Sequence, residues 1–211
     1  MKKQVNAGSS ALNLPKHPLL IVVSGPSGVG KDSAIAIMKK KCIQLHYVVT
    51  ATTRPMRPNE KDGADYHFLR EDKFKQLVRE GSFLEWAKVY GNYYGVFKKE
   101  VTEALDKGHD VLVKVDIQGA TTIKRIAPDA LFIFLMPPSM QELFDRLEKR
   151  HGKLDDSLRS RLDKAKDEIE ALPLFDYIVV THKDKLDDTV DELNSIIVAE
   201  KCRVQQRLIC L

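Results

Sequence analysis

Between Leu19 and Ser33 the chain reads LLIVVSGPSGVGKDS, and no other stretch restricts the fold as tightly. The aliphatic run carries no polar alternation, which is how a strand buried on both faces of a parallel sheet reads. After Ser24 come Gly25, Pro26, Ser27, Gly28, Val29, Gly30 and Lys31, the spacing G-x-x-x-x-G-K. In that pattern backbone N–H groups of a tight loop converge on phosphate oxygens, and the lysine reaches the outer phosphates. Ala34, Ile35 and Met38 then share one helical face, so the loop opens into a helix whose N-terminus favours anions. Strand, loop and helix in this order predict an ATP-type phosphate site from Gly25 to Ser33. Asp32 separates the lysine from Ser33, the hydroxyl placed to meet Mg²⁺.

Further strand-like runs at 47–49, 110–116, 130–136 and 177–181 alternate with helical patterns at 98–107, 118–126, 157–172 and from Leu186 onward. Together with the first strand they predict an α/β fold, a three-layer core built on a five-stranded parallel sheet. Ser139 and Glu142 have capping-box spacing at the start of another helix. Two stretches break the rhythm: 51–97 and about 150–160. Within the first, EDKFKQLVREG predicts a helix from Glu71 that Gly81 stops, and SFLEWAKVY a strand that turns at Gly91-Asn92. Trp86 is expected as a core aromatic there. Residues 1–17 read as a flexible arm, and 18–211 as one domain whose core is 18–50 and 98–211.

A net charge of +4 on 211 residues lacks the concentrated basic stripe of a nucleic-acid binder. No signal-peptide core or membrane span is apparent, so neither nucleic acid nor membrane is an expected partner. Cys42, Cys202 and Cys210 have no C-x-x-C spacing, which implies neither a zinc site nor a disulfide framework and makes a reducing cytoplasm the expected setting.

A phosphate loop holds the donor but leaves the acceptor open. In the first interruption Arg54 and Arg57 stand three residues apart, and Tyr66 and Tyr94 follow in DYHF and GNYYG. Two guanidinium forks and two phenols suit one phosphate dianion. Glu85 lies inside the apolar run Phe83, Leu84, Trp86, where a carboxylate is costly without a partner. Guanine presents adjacent N–H donors on its Watson–Crick edge, and a carboxylate accepts both.

With these pieces in place the chain resembles the guanylate kinase family from Leu19 to about Lys201. The matching pieces are GPSGVGK, TTRPMRPNEKDGADYHF, FLEWAKVYGNYYG, VDIQGA and RLEKRH followed by SRL. The resemblance implies transfer of the γ-phosphoryl group of ATP to GMP or dGMP with Mg²⁺, a GMP-binding insertion at 51–97 and a small lid at about 150–160. It places Arg54, Arg57, Tyr66 and Tyr94 on the GMP phosphate, Glu85 and Thr50 on guanine, and Glu60 and Asp116 near them. It gives Arg150 and Arg161 to the transferring phosphate beside Lys31, with Arg146 as a further candidate.

The match departs from the family at Asp32, usually Gly or Ser, and at Lys114, usually acidic. These departures have opposite sign, and a pairing between the two side chains is expected. Val96 stands where a Ser or Thr that helps bind guanine is usual, and Thr181 and His182 where an Asn is common. The alternative reading is a guanylate kinase-like binding module that has lost catalysis and recognises phosphorylated protein. Retention of Lys31 and the lid arginines favours the enzyme.

Overall fold

The computed structural model describes residues 17–41, 43–151 and 156–211. Its central strand is β1 (Leu20–Ser24), buried along its whole length, and the phosphate loop leads from it into α1 (Lys31–Lys40) and β2 (His46–Tyr47). The second strand sits one residue earlier than its apolar run and is only half-buried, because it forms the sheet edge.

An inserted unit follows, comprising β3 (Ala51–Thr52), β4 (His67–Phe68), α2 (Glu71–Arg79), β5 (Phe83–Val89) and β6 (Asn92–Phe97). The chain then returns to the core with α3 (Lys98–Asp106), β7 (Val111–Lys114), α4 (Ile117–Ile126), β8 (Leu131–Met136) and α5 (Met140–His151). It ends with α6 (Asp156–Glu170), β9 (Tyr177–Val180) and α7 (Leu186–Lys201).

The core sheet is five-stranded and parallel, in the order β2-β7-β1-β8-β9. Alternate residues of β1 explain the layers, since successive side chains leave a strand on opposite faces. Ile21 and Val23 pack with Ala34 and Met38 of α1 and Val190, Leu193 and Ile197 of α7. Leu20 and Val22 pack instead with Val101 and Ala104 of α3 and Ala120 and Ile123 of α4. Both faces are therefore apolar, which is why the strand shows no alternation. Since β7 and β8 flank β1 on opposite sides, a crevice opens at the carboxyl end of the sheet, where the phosphate loop lies.

The inserted unit forms its own sheet, ordered β4-β3-β6-β5, with α2 against one face. Phe74 of α2 stacks on Phe83 and Tyr93, with ring centroids 4.6 and 5.4 Å apart. The pairing of β5 with β6 is irregular between Phe83 and Glu85. A regular strand would place both on one face; the irregularity leaves Phe83 under α2 and turns Glu85 into the crevice. The same offset corrects the expectation for Trp86. It is 45% exposed, tilted against Tyr93 on the outside of the unit, and is no core residue. Val96, opposite Glu85 in the pairing, is fully buried with Leu84 and Val101 and belongs to the core beneath.

The carboxyl-terminal tail is tied back to the sheet through a buried carboxylate. Glu200 accepts from Tyr177 Oη at 2.6 Å and from Arg207 Nε at 2.7 Å. Arg207 also pairs with Asp176 at 3.3 Å and donates to the Ala130 carbonyl at 3.0 Å. Arg207→Met leaves Glu200 short of its best cation, and removal of one partner from a buried pair costs about 3 kcal/mol. The expected result is a clear drop in urea midpoint with an unchanged m-value; a midpoint within error of the parent protein would show the tail to be dispensable.

Candidate active site

Gly25, Gly28 and Gly30 all have positive φ, at 141°, 85° and 112°. At Gly25 a Cβ would stand 2.2 Å from the Leu135 carbonyl oxygen, so only glycine lets the loop leave β1 so close to β8. No side chain caps α1 at Gly30, which leaves its first-turn N–H groups to the cavity. Val29 is fully buried and its side chain belongs to the core. Only its backbone serves the loop, with its carbonyl accepting from Thr181 Oγ1 at 2.7 Å and Arg146 Nη1 at 2.9 Å. Arg146 also donates to the Thr181 carbonyl at 2.6 Å and pairs with Glu142, so its guanidinium clamps the loop to β9 and α5. Ser139 Oγ accepts from the Glu142 backbone N–H at 3.1 Å, but the Glu142 carboxylate turns to Arg146, so only half of the capping box forms.

A cavity of about 530 Å³ lies between this loop and the inserted unit. Among the expected residues its wall includes Gly25, Pro26, Ser27, Gly28, Gly30, Lys31, Asp32 and Ser33 on the side of the loop. Thr50, Arg54, Arg57, Tyr66, Glu85, Tyr94 and Asp116 line the rest of it. Val29 and Glu60 are not on the wall. A second cavity of about 370 Å³ adjoins it at Arg146, lined also by Lys149, His182 and Lys185. Arg150 lies in α5 and Arg161 in α6, and their side chains lie outside the described residues.

Glu60 stands behind the wall and fixes the arginines. It grips Arg54 with both oxygens, at 2.8 and 2.9 Å, and accepts the Arg57 backbone N–H at 2.9 Å. The Arg54 guanidinium lies 5.1 Å from the Tyr66 ring centroid and 5.6 Å from that of Phe68. The Arg54 hydrogen bonds hold the Glu60 carboxyl below its ordinary range, and Glu60 in turn holds Arg54 above its own. A pre-set guanidinium loses less side-chain entropy when an anion arrives.

Lys31 Nζ donates to the Gly25 carbonyl, and to that of Pro26 at 3.1 Å. Burial lowers its pKa, against the opposing pull of Glu168 and Asp32. Glu168 on α6 is 5% exposed, lines the same cavity, and burial holds its carboxyl above the ordinary range. Sequence reasoning missed it, because in KDEIE it looks like one more charge on a solvated helical face.

Glu85 is 4% exposed, and burial, helped by the nearby charge of Asp116, pushes its pKa up to about 8. Gly119 makes room for it, since a Cβ there would come within 2.6 Å of Glu85 Oε2. Among the described residues no group hydrogen-bonds to this carboxyl. Asp116 itself caps α4, accepting the Gly119 N–H at 3.1 Å, with Lys164 Nζ at 3.5 Å from its other oxygen. Asp32 and Lys114 do pair, and Lys114 further donates to Tyr66 Oη at 2.9 Å.

Known proteins resemble this chain in both sequence and fold. The family model for guanylate kinase matches residues 17–200. The guanylate kinase of Caldanaerobacter subterraneus is 41% identical over 195 residues, which cover 92% of this chain and 94% of that protein. That of Clostridium acetobutylicum is 45% identical over 194 residues, covering 92% and 91%. The crystal structure of guanylate kinase from Anaplasma phagocytophilum matches with a TM-score of 0.73 at 31% identity, covering 90% of each chain. Sequence and fold agree over almost the whole length, and the chain belongs to the guanylate kinase family.

Proposed function

We propose that this protein transfers the γ-phosphoryl group of ATP to GMP, giving ADP and GDP, with dGMP as a second acceptor. The observation that carries the acceptor is Glu85, a buried carboxyl on the cavity wall with no hydrogen-bond partner among the described residues. Such a group is costly unless a ligand completes it, and the paired N–H donors of guanine do so. Adenine presents a ring acceptor at that edge, which an ionised carboxylate repels. Thr50 supports the base beside Glu85, and Asp116 holds the start of α4 near both.

Arg54, Arg57, Tyr66 and Tyr94 hold the GMP phosphate, with Glu60 fixing the arginines from behind. The loop from Gly25 to Ser33 wraps the ATP phosphates with backbone N–H groups, and the adjoining cavity at His182 takes the donor base. A GMP phosphate oxygen is already anionic at neutral pH, so no general base is required. Lys31, Arg150 and Arg161 neutralise charge on the group in flight; the lid expected at about 150–160 includes residues 152–155, which lie outside the described residues.

Mg²⁺ fits this donor set. It keeps several waters and binds through substrate phosphates plus one or two protein oxygens, and Ser33, which carries a hydroxyl, lines the cavity. When bound, the ion neutralises phosphate charge. A cytoplasmic setting suits the exposed free thiols of Cys202 and Cys210. Among the described residues, no helix is long and apolar enough to cross a membrane.

The test is ADP formation from ATP and Mg²⁺ with GMP, dGMP, AMP, UMP or no acceptor. Turnover that needs GMP or dGMP, with AMP inert, is the expected result. Equal rates with AMP would remove Glu85 from base recognition, and no turnover beside measurable GMP binding would favour the binding module.

A further inference from the structure

Lys114 closes β7 at the carboxyl end of the sheet, and its side chain enters the large cavity. There it joins two parts of the molecule. Its ammonium pairs with Asp32, in the first turn of α1 directly after the loop lysine. It also donates to Tyr66 Oη at 2.9 Å and lies 4.4 Å from the centroid of that ring. The Lys114 side chain is 17% exposed and that of Asp32 61%, so the contact reaches from the solvent-facing mouth into the interior.

The direction of the Tyr66 hydrogen bond has a consequence. An ammonium has donors and no acceptor, so the phenol oxygen must be the acceptor of this bond. The phenol proton is then left to point elsewhere, and Tyr66 lines the cavity between the arginines and the phosphate loop. A hydroxyl held in this way is a prepared donor to an anionic oxygen. Without Lys114, the rotor is free to donate or accept in any direction.

We infer that Lys114 is a positioning residue for the acceptor phosphate: anchored by Asp32, its ammonium orders the Tyr66 hydroxyl so that its proton faces a phosphate oxygen. The inference rests on reading the acceptor as GMP held by the inserted unit. Lys114 belongs to the core strand next to β1, so it couples the insertion to the donor side through one side chain. The rival account gives the pair no role beyond balancing one charge with another.

The two accounts separate in a cycle of steady-state measurements. Asp32→Gly combined with Lys114→Met removes the pair without changing net charge, and Tyr66→Phe removes the hydroxyl. The expected result is that each raises KM for GMP about tenfold, the scale of one charge-assisted hydrogen bond. The triple variant is expected to be no worse than the weaker of its parents, because both lesions delete the same contact. A pair variant with the parent KM for GMP would reduce the pair to charge balance, and a triple variant that loses the product of the two effects would show Lys114 and Tyr66 to be independent. Either outcome overturns the inference. Should the pair variant fail to fold by circular dichroism, Lys114→Met alone enters the same cycle. If the unaltered protein shows no saturable dependence on GMP, it is the acceptor assignment that falls instead.

Discussion

Lys31→Ala will abolish phosphoryl transfer, lowering kcat by on the order of 10³-fold, while GMP binds almost as tightly as before. The split follows from where the side chain lies. Lys31 Nζ is held by the Gly25 and Pro26 carbonyls, inside the loop that faces the donor. Arg54, Arg57, Tyr66 and Tyr94 belong to the inserted unit on the far wall. Removal of the ammonium leaves those groups in place but takes away a fixed positive charge from a half-buried site, where a pre-positioned charge acts most strongly on the transition state.

Stability is expected to hold, because burial lowers the Lys31 pKa, which means that the folded protein bears a cost for keeping this ammonium charged. Single-turnover rates and calorimetric GMP binding measured on one preparation check both halves. A variant that keeps a tenth or more of the parent rate would remove the loop lysine from the chemistry.

Glu85→Gln is expected to act in two directions at once. It should lower kcat/KM for GMP by about 10²-fold or more, because the amide replaces an acceptor with a donor that opposes one of guanine's own N–H groups. It should also make the unliganded protein more stable. Burial raises the Glu85 pKa to about 8 in the folded state, above the value near 4.5 of an ordinary glutamate. Between those two values the folded protein holds a proton that the unfolded chain has released. Stability from this group is therefore complete below the ordinary carboxylate range and is lost as pH rises towards about 8, at a slope of no more than about 1.4 kcal/mol per unit.

The amide carries no such penalty, so the gain in melting temperature should be larger at pH 8 than at pH 5. A related signature lies in the binding itself. GMP that selects the ionised carboxylate will release most of a proton from Glu85 at pH 7, seen as a dependence of the binding heat on buffer ionisation enthalpy that the Gln variant lacks. A variant with parent GMP kinetics, or a parent protein that releases no more protons than the variant, would mean that guanine is read elsewhere.

Glu85 also marks how far the chain could be read before its fold was known. A carboxylate in an apolar run signals that a partner is needed, and that much lies in FLEWAKVY itself. What the run does not carry is parity. The irregular pairing between Phe83 and Glu85 depends on β6 across the way, and it decides that Glu85 faces the cavity and Trp86 faces out. Glu60 shows the same gap. The resemblance puts it near the acceptor site, but only the folded loop shows both of its oxygens gripping Arg54 while one also takes the Arg57 N–H.

The local chemistry of the chain by itself determined the strand, glycine loop, lysine and helix, along with the apolar strands that make a parallel sheet, because each depends on residues close in sequence and on steric rules that hold in any context. Only the tertiary structure decided which distant charges meet. Lys164 meets Asp116 across 48 positions, and Glu168 on an apparently solvated helix is buried beside Lys31. Charges act through space and through the water that packing removes, and neither is set until the sheet, the insertion and the last helices have closed around the same cavity.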